Sequence, residues 1–165
     1  MKVMDAFLQG DISMLRNLSD EILAKGAIEE NKELVKLAVI AHSLAKILEK
    51  KYYRREKKLW RDFVNRVVEG LKKAGKNVKG LEEIENAIIE LDREHGRYTD
   101  NVLHLSKVRR GSTLYAWGLS LGVASKLVDV PEHEILSHTG KTKMVDEESV
   151  SKSASERLKE AEEVL

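Results

Sequence analysis

The chain contains no cysteine, one proline and one glutamine, and each scarcity narrows what it can be. Without cysteine there is no disulfide framework and no thiolate metal site, so a reducing, cytoplasmic setting is expected. Proline breaks helices, and a chain of 165 residues that confines it to Pro131 has little punctuation beyond its glycines. Alternating apolar and polar runs, the mark of half-buried strands, are missing as well. The expected fold class is all-α. Long apolar runs are also lacking. The longest uncharged stretch, 111–125, falls short of the roughly 20 residues that span a bilayer, so no membrane partner is expected. The first residues carry Asp5 and no apolar segment long enough for a secretory leader.

What the chain does have is apolar content and charge. Apolar residues make up 42%, enough for a core, and charged residues 35%. Abundant Lys and Glu beside scarce glutamine fits a thermophile, because desolvating charge costs less when hot. The net charge of +1 hides a segregation. Residues 46–79 hold 13 basic and 4 acidic side chains, whereas 80–100 hold 2 basic and 7 acidic. Residues 101–126 hold 4 basic and no acidic ones. A near-neutral total thus conceals a strongly basic block.

Apolar spacing predicts a first helix from Asp11, whose carboxylate can cap free amides, to Gly26. A second, over 31–51, is apolar on more than one stripe and should be central and buried. A third, over 54–74, separates Trp60, Phe63, Val64, Val67 and Leu71 from an outward stripe of Arg54, Lys58, Arg61, Asn65 and Lys72. Gly75 and Gly80 bracket a basic loop, and a fourth helix runs over 81–95 to a stop at Gly96. Helical periodicity then continues to Leu127, with a break or bend expected at Gly111. Gly118 and Gly122 fall on one face and predict a close helix approach. Pro131 suits the first turn of a short helix ending at Gly140. The expected organisation is a bundle of six or seven helices over 1–145, followed by an amphipathic C-terminal helix over 146–165 that is a candidate for homodimer contacts.

The basic block carries the main functional expectation. Arg54, Lys58, Arg61 and Lys72, with Arg109 and Arg110 as additions, offer cations that displace counterions from phosphates. Tyr52 and Tyr53 are candidate platforms for unpaired bases. These residues predict non-enzymatic binding of RNA or DNA. The same charge blocks support a second expectation, a helical scaffold that meets a protein partner by charge steering. In that case the acidic and basic blocks pair within the fold or across a dimer. No phosphate loop, nucleophile elbow or dinucleotide fingerprint is present, and no cofactor is expected. No metal site is expected either: His133 and His138 are five apart, which is not a same-face helical spacing. His42, inside an apolar helix, reads as a hydrogen-bonded core histidine.

Two local resemblances accompany these expectations. In the segment Ala124 to Gly140, Ala124, Ser125, Leu127, Val128, Val130 and Ile135 fall at small and apolar positions, and the segment resembles a helix-turn-helix. Asp129 stands where that family places a glycine in a left-handed turn, a conformation Asp tolerates better than most residues. Glu132, His133 and Glu134 stand on the helix that would read DNA, where acids repel phosphates; this favours the geometry as a packing device. Arg97 and His104 match the Arg-x4-6-His pattern and resemble the motif of the HEPN ribonucleases, which are also all-helical. That resemblance implies phosphodiester cleavage by this pair, with Tyr98 in place of the family's polar residue. Taken together, the residues favour a binding protein over an enzyme.

Overall fold

The computed structural model of the chain describes residues 2–75, 77–96 and 101–149, the last nine by their backbone alone. All regular elements among the described residues are helical: α1 (Lys2–Gln9), α2 (Ile12–Ile28), α3 (Lys32–Glu49), α4 (Lys57–Ala74), α5 (Lys79–Glu94), α6 (Val102–Ala116), α7 (Leu121–Val128) and α8 (Glu132–Ser149). A 3-10 turn, Lys51–Arg54, joins α3 to α4. No helix among the described residues is long and apolar enough to cross a membrane.

The helix starts are chemical. Asp11 accepts from the Met14 amide at 2.8 Å, and Asn31 accepts from the amides of Glu33 and Leu34. Asn101 and Ser120 do the same for α6 and α7. Each such cap contributes about 1 kcal/mol by satisfying amides that the helix leaves open.

As its composition predicts, α3 is the central helix, packing against α1, α2, α5, α6 and α7. Its alanines at 38, 41 and 45 are buried between neighbours, and Ile40, Leu44 and Ile47 are fully buried. One core cluster lies where α1 to α5 and the start of α6 meet; a second joins α2 and α3 to α6, α7 and α8. Among the described residues the count of eight exceeds the expected six or seven. The N-terminal α1 adds one: Val3, Ala6 and Phe7 share a face, and the Phe7 ring meets Phe63 edge-on at 6.2 Å.

Glycine is where expectation and structure part. Gly111 does not break the run into two helices. It lies inside α6, buried, where a Cβ would come within 2.8 Å of the Ile135 side chain, so it lets α8 pack closely. The break falls instead at 117–120, with Gly118 at φ +100 in the turn and nothing among the described residues within 4 Å of a Cβ placed there. Gly122 admits no close helix either, meeting just the Glu132 side chain. Gly80 does not bracket a loop. It lies within α5 against Gly70 of α4, and a Cβ there would stand 2.4 Å from backbone atoms of Ala74 and Gly70. Gly140 does not end α8, which continues to Ser149. From Val150 on, the expected C-terminal helix lies outside the described residues.

The turn between α7 and α8 has the left-handed residue that the helix-turn-helix resemblance implies. Asp129 adopts φ 58 and ψ 56, and Ser125 closes the turn by donating its hydroxyl to the Val130 carbonyl at 2.7 Å. Helices α6, α7 and α8 pack on one another around Ile135, Leu127 and Val128.

Candidate functional site

The outward stripe expected on 54–74 is shorter than its spacing suggested. Lys58, Arg61 and Lys72 are exposed on α4 and make no ion pair among the described residues. Arg54 leaves the stripe, because the chain there is a 3-10 turn rather than helix. Its guanidinium donates to the Leu48 carbonyl at the end of α3 and lies over the Trp60 ring at 5.7 Å. Tyr53 is not a stacking platform either. It is fully buried and donates to Asp92, and burial, then that bond, raise its pKa well above the usual phenol value. The basic and acidic blocks do meet within the fold along the α4–α5 pair, through Arg66 with Glu90 and Lys73 with Glu83.

A different set of cations converges where α2, α3 and α6 face one another. Each helix contributes residues one turn apart, which places them on one face. From α2 come Arg16 and Asp20; from α3 come His42 and Lys46, with Lys50 one turn further; from α6 come Arg109 and Thr113, with Trp117 one turn beyond. Arg110 lies on the floor. These side chains line a recess of about 550 Å³ that holds four cations against one carboxylate, that of Asp20. An adjoining recess of about 220 Å³ shares His42, Lys46 and Arg109 and adds Lys50, Leu105 and His138.

Arg110 is 5% exposed, so it is not the surface cation that the sequence suggested. One terminal nitrogen pairs with Asp20, and the other donates to His42 Nδ1 at 2.6 Å. Its Nε is buried with no acceptor among the described residues. Burial lowers its pKa below the usual guanidinium value, and Asp20 offsets part of that effect. Because Arg110 is a donor, His42 must present a lone pair at Nδ1 and keep its proton on Nε2. Burial, and then Arg110, Arg109, Lys46 and Arg16, push the His42 pKa down to about 3. The sequence reading of His42 as a hydrogen-bonded core histidine holds, yet its ring also lines the recess.

The cations repel one another. Lys46 has its pKa lowered by burial and then by Arg16, Arg109 and Lys50. Glu49 partly compensates, pairing with Arg16 and standing 3.3 Å from Lys46. Arg109 and Lys50 have no ion pair among the described residues. Like charge held this closely is unfavourable unless an anion enters. Arg16, Lys46 and Trp117 were not singled out in the sequence, and His42 was read there as a core residue alone. The available signals were cations at 46 and 50, one turn apart at the end of an otherwise apolar helix, and the acid-free stretch around Arg109 and Arg110.

Of the ribonuclease-like pair, Arg97 lies outside the described residues. His104 is on α6, with Nε2 at 2.6 Å from Glu134 Oε2 of α8. On α8, Glu132, His133, Leu136 and Ser137 are exposed, so the face that would read DNA has no cation among its described side chains. No cluster of three or more His, Asp or Glu side chains suited to a metal ion occurs among the described residues. The chain matches no protein-family model, no curated protein and no solved structure.

Proposed function

We propose that this protein binds nucleic acid without cleaving it, and that the recess between α2, α3 and α6 is the principal phosphate seat. The observation that carries this reading is the packing of Arg16, Lys46, Arg109 and Arg110 around one opening with a single carboxylate among the lining side chains. A phosphate relieves their mutual repulsion and replaces the counterions such a site otherwise attracts. The exposed Lys58, Arg61 and Lys72 of α4 act as an auxiliary surface for the same polyanion. The alternative, a partner protein steered by opposed charge patches, draws less support. Part of the acidic block is already engaged by α4 through Glu83 and Glu90.

The test is fluorescence anisotropy with labelled single- and double-stranded RNA and DNA, titrated at two salt concentrations. Affinity should fall steeply as salt rises, and Arg109→Ala should flatten the logarithmic slope by ~0.7–0.9 as one phosphate contact is lost. Arg109 makes no ion pair among the described residues, so its removal should leave folding intact. Absence of binding to all four probes at low salt would overturn the proposal.

A further inference from the structure

The shape of the recess narrows the ligand beyond a generic polyanion. Cations that track an internal nucleic-acid backbone form an open stripe, because each phosphodiester is flanked by sugar on both sides. Here they line a half-open recess whose floor, Arg110, is almost wholly buried, and a phosphate at a chain end reaches that floor more readily than one within a chain. A terminal phosphomonoester also carries close to two negative charges where a diester carries one, which better matches four lining cations against Asp20 in the lining and Glu49 beside Arg16 and Lys46. The volume of about 550 Å³ exceeds what a phosphate alone requires and lies within the range of small-molecule sites.

The rim supplies a contact for the rest of such a ligand. Trp117 caps the C-terminal end of α6 and is 49% exposed, an unusual placement for the largest apolar side chain. It continues the line of Arg109 and Thr113 at successive turns, so the indole lines the same recess as the guanidinium, two turns further along α6. Cations for the phosphate and an aromatic ring for the base, lining one recess, are the two elements that hold a single-stranded nucleotide. Thr113 donates its hydroxyl to the Arg109 carbonyl, leaving the Oγ lone pairs to accept from a sugar hydroxyl. His42, with its proton on Nε2, adds a neutral donor to the lining.

We infer that the recess binds a nucleoside monophosphate unit, its terminal phosphate held by Arg16, Lys46 and Arg109 and its base stacked on Trp117. The unit is either the phosphorylated end of a single strand or a free mononucleotide. This inference rests on the recess being the phosphate seat of the proposed function.

The experiment uses the full chain with five probes: a short single-stranded oligonucleotide with a 5′-phosphate, one with a 3′-phosphate, one with hydroxyl ends, adenosine 5′-monophosphate, and inorganic phosphate. Tryptophan fluorescence and calorimetry are read in parallel. One phosphorylated end should bind about tenfold or more tighter than the hydroxyl-ended strand, the size of effect that one charge-assisted hydrogen bond to the added phosphate produces. The bound ligand should quench tryptophan emission in the parent and not in Trp117→Ala, with Trp117→Phe restoring most of the affinity. Inorganic phosphate should be insensitive to Trp117→Ala, and Arg109→Ala should weaken both. Binding of adenosine 5′-monophosphate but of no oligonucleotide would support the inference with the free nucleotide as ligand, while removing the nucleic-acid function. Equal affinity for phosphorylated and hydroxyl ends, with Trp117 silent, would overturn the inference and leave nucleic-acid binding standing. No binding of any probe would overturn both.

Discussion

Acid should destabilise this protein through His42, and the size of the effect follows from its surroundings. The ring is 4% exposed and accepts a hydrogen bond from Arg110, with Arg109, Lys46 and Arg16 also close enough to disfavour a second proton. Asp20 is the nearby carboxylate on α2, and it is engaged by Arg110. Burial first, and these cations second, lower the folded-state pKa from 6.5 to about 3. The unfolded chain therefore binds a proton at His42 between those two values while the folded chain does not. Stability is at its full value above the unfolded pKa and declines as pH falls through this window. Each pH unit below the unfolded pKa costs about 1.4 kcal/mol, so two units cost about 2.7 kcal/mol, a large part of a typical stability. The assay is urea unfolding at about pH 7 and about pH 4.5 for the parent chain and for His42→Asn, whose side-chain oxygen can still accept from Arg110 but does not titrate. Exposed carboxylates, such as Glu90, titrate alike in both proteins and cancel in the difference. The variant should lose about 2–3 kcal/mol less than the parent over that interval. Parallel pH profiles for the two chains would refute the account of His42 as a buried, neutral acceptor.

Other perturbations test the packing and the site. Gly80→Ala should destabilise the fold by about 3 kcal/mol, seen as a lowered thermal midpoint, because the new methyl meets α4 backbone that cannot rotate away; a neutral result would mean the α4–α5 contact is looser than described. Asp92→Ala should lower stability by about 3 kcal/mol or more in urea unfolding, since it leaves the Tyr53 hydroxyl and the Val102 amide buried without their acceptor. Leu44→Ala, at a fully buried position of the central helix, should cost about 2–5 kcal/mol by the same measurement. Changing Lys58, Arg61 and Lys72 together to Ala should leave the unfolding curve unchanged and reduce nucleic-acid affinity less than Arg109→Ala alone. The reverse ranking would move the principal phosphate seat to α4.

Much of the helical framework was legible in the residues. The cap at Asp11 starts α2 as expected, α3 begins beside the expected position 31, and the stop at Gly96 follows α5. These signals act over one or two turns, so the chain declares them locally. The phase of α4 was legible as well: Phe63, Val67 and Leu71 are buried, while Lys58, Arg61 and Lys72 are not. Arg54 was misplaced because the 3-10 turn rotates it away from the continued helical phase. The glycines misled for a related reason. Gly111 looks like a helix breaker in one dimension, and just the presence of α8 against it reveals a packing position.

The class of the fold, the placement of most helices and the burial of α3 were determined by the amino-acid sequence itself, through periodicity, caps and the near absence of proline. Which cations stand together was decided by the tertiary structure alone. Arg110 and Asp20 are 90 residues apart in the chain and Arg110 and His42 are 68 apart. No local pattern connects positions so distant, because their meeting depends on how α2, α3 and α6 pack. Charge counted along the chain pointed to α4, part of whose cations α5 neutralises; charge gathered in space lies in the recess.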